Sequence, residues 1–142
     1  ASPLPICLDE SIHGIDTIKL CADNGVMDGA SLKLIKLGGM LPSMRAAIEL
    51  EKRGLHLNLA CKVAETSLSA AATAAIGFAM NGASWGLSMS NAYLEYDICD
   101  VPLRAVNGKL NIEQLNAVGI GVKPNVALVK QTVSKEWGII EC

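Results

Sequence analysis

Two carboxylates and a lysine stand where α/β enzymes keep acid–base groups. Asp9-Glu10-Ser11 follows the short apolar run Pro5 to Leu8, and Lys33 lies 24 residues after Asp9, inside the apolar run Ala30 to Leu37. The first run predicts a strand that ends at Asp9. The second predicts a strand with Lys33 in its interior, facing the same side as Ser31 and Ile35 by two-residue alternation. Glu65 falls just past a third predicted strand, Leu55 to Cys61, and just before a helix that opens near Ser67. In parallel α/β folds the reacting groups gather at the carboxyl ends of strands, and the spacing from Asp9 to Lys33 is that of one βα unit.

Each residue also has a purely structural reading. Asp9 or Ser11 can cap the first helix. Lys33, flanked by Leu32 and Leu34, needs a partner or a depressed pKa if it is buried, and an ion pair or a snorkelling stem would satisfy it. Glu65 in a first helical turn suits the helix dipole. Lys36 reads as a solvated lysine at a strand end. His13 and His56 lack ligand-like spacing and read as structural. Gly38-Gly39 lacks the rest of a phosphate-loop signature and reads as a tight strand-to-helix turn.

The elements that must position these groups follow from hydrophobic period and punctuation. Ile12 to Ala22, closed by Gly25, predicts a helix. So do Met40 to Arg53, stopped by Gly54, and the Ala-rich stretch Ser67 to Met80, stopped near Gly82. Trp85 to Ser90 predicts a fourth strand. Beyond it the regularity fails: Tyr93 to Leu103 is irregular, Gly108 to Ile112 resembles a strand, Gly119 to Val122 a turn and strand, and Val126 to Val133 a last helix. Four strands alternating with three helices predict an α/β fold on a parallel sheet, with helices outside if the sheet curls.

Composition sets the frame. The chain has 142 residues, enough for one domain, and 51% of them are apolar but only 4% aromatic, so Leu, Ile, Val and Ala must build the core. A net charge of -2 without charged blocks argues against nucleic acid or a membrane surface as partner. The apolar runs are too short or too interrupted to span a bilayer. No signal-peptide pattern is visible at the N-terminus. The cysteines at positions 7, 21, 61, 99 and 142 form no C-x-x-C pair and read as buried reduced thiols of a cytoplasmic protein.

Asp9-Glu10-Ser11, Leu32-Lys33 with Gly38-Gly39 beyond it, and Glu65-Thr66 after a strand ending in Cys61 together resemble the enolase superfamily. The likeness is to its muconate lactonizing enzyme and mandelate racemase branches. Tyr93-Leu94-Glu95-Tyr96-Asp97, Gly108-Lys109-Leu110 and Gly119-Ile120-Gly121-Val122 look like that family's closing segment. The resemblance runs from residue 5 to about residue 125 and implies strands five to eight of a (β/α)7β-type barrel, a half TIM-type barrel. It implies that Asp9 is a metal-ligand aspartate, Lys33 a catalytic lysine that moves a proton on one face of the substrate, and Glu65 a catalytic acid after the seventh strand. The chemistry implied is proton abstraction next to a carboxylate, with Mg2+ stabilising the enediolate and a lysine base of lowered pKa. Ser88-Met89-Ser90-Asn91 departs from the Asp-x-Asp of dipeptide-acting members.

The resemblance also says what the half-barrel lacks: four strands, a capping domain, two further metal carboxylates and a second lysine. A complete barrel takes roughly 200 to 400 residues. The expectation is therefore one barrel domain over residues 1–142, with exposed sheet edges and an exposed apolar inner face. It would be completed as a homodimer by pairing the fourth strand of one copy with the first of another. Alone it would have little activity on a small carboxylate. The alternatives are an active dimeric Mg2+-dependent racemase or lyase, and a non-catalytic module or a fragment that complements a separate chain.

Overall fold

The computed structural model describes residues 2–80 and 82–133. Its centre is a four-stranded parallel sheet in the order β1 (Cys7–Leu8), β2 (Gly29–Leu32), β3 (His56–Ala60), β4 (Leu87–Ser88). Between the strands run α1 (Ile15–Asp23), a single helical turn α2 (Leu34–Leu37), α3 (Met40–Lys52) and α4 (Ser67–Ala79); α5 (Val126–Thr132) comes last. The α/β half-barrel read from the sequence is the fold observed.

Alternation along β2 and β3 divides the sheet into two faces. Ala30, Leu32, Leu57 and Leu59 are buried with Ile18 of α1, Ala46 and Leu50 of α3, and Ala72 and Ile76 of α4. Small residues on the helices let them lie close to the sheet, and this layer is the main core. The opposite face carries Gly29, Ser31, His56 and Asn58, paired in register across the two strands.

That second face differs from the apolar surface expected. The Ser31 hydroxyl donates to Asn58 Oδ1 at 2.8 Å, and Asn58 Nδ2 donates to the Gly86 carbonyl at 3.0 Å. Near the amino ends of the strands the Trp85 ring stacks on His56, with centroids 4.6 Å apart. Gly29 is required beneath that stack. A Cβ there would meet both the His56 carbonyl oxygen and the Trp85 ring at 2.5 Å. The concave face is thus hydrogen-bonded to itself and floored by an aromatic pair.

Other boundaries also shift. The strand predicted over Ala30 to Leu37 ends at Leu32. Lys33 is still extended (φ -116, ψ 123), and Leu34–Leu37 then coil into α2. Gly38 in the left-handed region (φ 89) stops that turn by donating to the Leu34 carbonyl. Helix α1 begins at Ile15 rather than Ile12, because the Asp9–Ile12 turn comes first and buries Ile12. No strand forms over Gly108–Ile112, where the Val106–Lys109 pair makes an isolated bridge. Residues 134–142, including Cys142, lie outside the described residues. Of the other cysteines Cys61 and Cys99 are buried, with burial pushing both thiols up in pKa, while Cys7 is exposed and Cys21 half-buried.

The irregular segment after β4 is fastened to α4. Cys99, Leu103 and Val122 pack on Ala70, Ala71 and Ala74. Ser67 sits at the centre of a buried polar network: it donates from N and Oγ to Asp97 Oδ2 at 2.9 and 2.6 Å, and its Oγ accepts from Asn91 Nδ2 at 3.0 Å and Leu103 N at 2.8 Å. Asn91 is therefore a core residue.

Candidate active site

The site lies where β1 and β2 end side by side. Parallel pairing of Leu8 with Ala30 brings the residue after each strand, or nearly so, to the same rim. The chain turns at once after β1, with Ile12 N donating to the Asp9 carbonyl at 3.0 Å, and the buried Ile12 side chain anchors the turn. This leaves Asp9 and Glu10 projecting at the rim. Neither caps a helix: Gly14 is the N-cap of α1 and no side chain bonds there.

Lys33 is the last extended residue of its strand and is only 8% exposed. Its ammonium lies 2.8 Å from Asp9 Oδ1 and also contacts Glu10 Oε1. The Glu10 carboxylate bridges to a second ammonium, Lys36 Nζ at 3.0 Å from Oε2, and Lys36 also donates to the Glu10 carbonyl oxygen. Two acids and two lysines thus form one chain of ion pairs that closes the rim between β1 and α2.

The electrostatics have a definite sense. Hydrogen bonds from the Lys33 and Lys36 ammonium groups hold the Glu10 carboxyl down to about 2. Hydrogen bonds to Asp9 and Glu10 raise the Lys33 pKa; its burial acts the other way and is outweighed. The lowered pKa expected of a lysine base is therefore corrected: with two carboxylates against it, Lys33 is firmly an ammonium. The reading of Lys36 as solvated is corrected too, since its side chain is 18% exposed and engaged with Glu10.

Glu65 stands apart from this group. Its Oε1 accepts from Lys62 N at 2.6 Å and its Oε2 from the Ser69 hydroxyl, so it braces the loop that enters α4. It lines a shallow recess of about 440 Å3 with Leu34, Ile35, Gly38, Gly39 and Ser69. The structure brings Asp9 and Lys33 together, adds Glu10 and Lys36, which the sequence reading did not count among the site residues, and among the described residues shows no bond from Glu65 to any of them. The i to i+3 spacing of Lys33 and Lys36 was the available signal: it puts two amines one turn apart.

The donor set does not fit Mg2+ by itself. Among the described residues no three acidic, histidine or cysteine side chains converge on a common point that would hold a metal ion. Mg2+ takes six oxygens in near-octahedral geometry, and here Asp9 and Glu10 already face ammonium groups.

The geometry has close counterparts. The sequence matches the family model described as Enolase C-terminal domain-like over residues 1–128. It is 33% identical over 87 residues to the L-Ala-D/L-Glu epimerase of Escherichia coli (strain K12), covering 58% of this chain and 26% of that protein. It is 31% identical over 114 residues to the o-succinylbenzoate synthase of Thermobifida fusca (strain YX), covering 80% of this chain and 35% of that one. The crystal structure of muconate cycloisomerase from Pseudomonas fluorescens superposes with a TM-score of 0.83 at 26% identity, over 92% of this chain and 36% of that one. The chain thus spans about a third or less of the length of these relatives. The match over residues 1–128, on a fold of four parallel strands, shows that this chain belongs to the enolase C-terminal domain-like family.

Proposed function

We propose that the chain supplies one face of a proton-transfer site that acts on the carbon next to a carboxylate, with Lys33 as the group that carries the proton and Asp9 as the acid that holds it in place. One observation carries this reading: a buried lysine at the carboxyl end of a parallel strand, ion-paired at 2.8 Å to the acid at the end of the neighbouring strand β1. The relatives named as an epimerase and a synthase, and the cycloisomerase with the same fold, support this class of reaction.

In this reading the charge state of Lys33 sets its part. As an ammonium it can deliver a proton to a carbanion and lower the energy of the negative charge that forms beside it. Accepting a proton requires the neutral amine, so Asp9 and Glu10 must first be drawn away from Nζ. Other carboxylates and a second lysine must come from outside the described residues, and Mg2+ belongs to that completed site. The chain by itself is therefore a slow catalyst. Glu65, at the rim of its own recess, is the further acid of the proposed site.

Among the described residues β1 and β4 lie at the two edges of the sheet, each bonded on one side only. The partner proposed for them is a second copy of this chain, pairing edge to edge in a homodimer; strands from another polypeptide segment are the alternative. Sedimentation at micromolar concentration separates the two, since a strict monomer excludes the second copy. The catalytic proposal is tested by wash-in of solvent deuterium at the α-carbon of small carboxylates, with Lys33→Met as the control.

A further inference from the structure

The ion-pair chain at the rim has a member that touches neither Asp9 nor the proposed reaction centre. Lys36 rises from α2, and its ammonium reaches back to β1, where it meets both the main-chain carbonyl and the carboxylate of Glu10. The carboxylate goes on to Lys33. Glu10 itself is open to water, with its side chain 75% exposed, whereas the Lys33 and Lys36 side chains are 9% and 18% exposed. An exposed glutamate would ordinarily sample many rotamers. Here two ammonium groups hold its oxygens, and one also holds its backbone. The backbone contact matters most, because Glu10 follows Asp9 directly and, beside the ion pairs to Lys33 itself, the turn at Asp9–Ile12 is held by Ile12 N on the Asp9 carbonyl and by the buried Ile12 side chain.

We infer that Lys36 is a positioning residue for Lys33. It fastens the turn after β1 to the turn after β2, and so fixes the separation of Asp9 from the Lys33 ammonium. It acts through Glu10 and makes no contact with a substrate. α2 is the device that permits this: three residues of helix carry Lys36 back over the end of β1, a reach that a continued strand over Leu34–Leu37 would not allow, and Gly38 ends the turn once that is done. This role rests on the reading of Lys33 as the proton-carrying group, but its test needs no turnover.

The test is the accessibility of Lys33 in the folded full chain, measured as its rate of labelling by a small amine-reactive reagent with peptide mass mapping. Lys19 and Lys52, on the exposed faces of α1 and α3, are internal controls. With Lys36→Met the labelling of Lys33 is expected to rise about tenfold, the size of one charge-assisted hydrogen bond, while the controls stay unchanged. Lys36→Arg keeps donors for the carbonyl and the carboxylate and is expected to restore protection, a recovery that loss of bulk packing would not give. Glu10→Gln, at an exposed position, provides a second variant; it removes the carboxylate that Lys33 itself contacts and is expected to give a rise at least as large, and unchanged Lys33 labelling there also overturns the inference. Unchanged Lys33 labelling in Lys36→Met, or a rise that Lys36→Arg does not reverse, overturns the inference. Absence of deuterium wash-in would instead count against the proposed reaction and leave this result standing.

Discussion

Gly29→Ala is the substitution whose cost can be worked most directly from the structure. Gly29 opens the strand that carries Lys33, and an added methyl would sit 2.5 Å from the His56 carbonyl oxygen, 2.5 Å from Trp85 Cζ3 and 2.8 Å from His56 Cβ. The Trp85 ring can tilt. The carbonyl belongs to the neighbouring strand, hydrogen-bonded in register, and can retreat only if β2 and β3 separate. Overpacking of this kind costs about 1–3 kcal/mol, and backbone as the immovable neighbour puts this case at the upper end, about 2–3 kcal/mol. With a urea slope of about 1–3 kcal/mol/M for a small domain, the midpoint should fall by about 1 M at unchanged slope. Trp85→Ala in the same background relieves only the ring contact, so it should return about 1 kcal/mol and no more. A Gly29→Ala protein within about 0.5 kcal/mol of the parent, or one fully rescued by Trp85→Ala, would refute the claim that the strands approach each other too closely here for any Cβ.

Three further outcomes follow from the same contacts. Glu10 has a folded-state pKa of about 2 against an ordinary value near 4.5, so its ion pairs contribute stability in full above about 4.5 and lose it as pH falls toward 2; thermal melts from pH 7 to 2 should show this loss, and Glu10→Gln should reduce it. Ser67→Ala removes one hydroxyl that serves Asp97, Asn91 and the Leu103 amide in a buried network, and should lower stability by about 2–4 kcal/mol and expose residues 91–104 to proteolysis before the sheet. Calorimetry of the chain alone with Mg2+ should give the same trace for parent and Asp9→Asn; an Asp9-dependent isotherm would contradict the reading that these residues do not form a metal site by themselves.

Much of the fold was legible because its period is strong. Three helices and four strands stand where apolar spacing and glycine punctuation put them, and Asp9 and Lys33 meet at one rim as the βα interval implied. The misreadings have physical causes. Leu34 to Leu37 is apolar, and a short apolar run has no period long enough to tell a strand from a helical turn. Gly38 ends either one, so the end of β2 was placed late. Lys33 kept its strand-like side because it remains extended to the last residue. The direction of its pKa was missed because it depends first on Asp9, read as a metal ligand rather than a partner of the ammonium, and then on Glu10, which alternation places on the opposite face; only the turn at Asp9 brings Glu10 round to it. The polar concave face was missed for a similar reason. Ser31 and Asn58 lie 27 residues apart, and only register pairs them. Asp97 and Asn91 gave no periodic signal at all, since they lie in the irregular segment after β4 and their partners are backbone groups and the hydroxyl of Ser67 at the start of α4.

The central claim is that Lys33 moves a proton at carbon, and isotope exchange tests it most directly. The full chain in heavy water, with Mg2+ and a panel of small carboxylates that includes L-Ala-L-Glu, is followed by loss of the α-proton signal in the nuclear magnetic resonance spectrum. Slow wash-in is predicted for at least one substrate, falling about a hundredfold or more with Lys33→Met while the fold is retained. Wash-in that persists in Lys33→Met, or none above that variant's background across the panel, would contradict it.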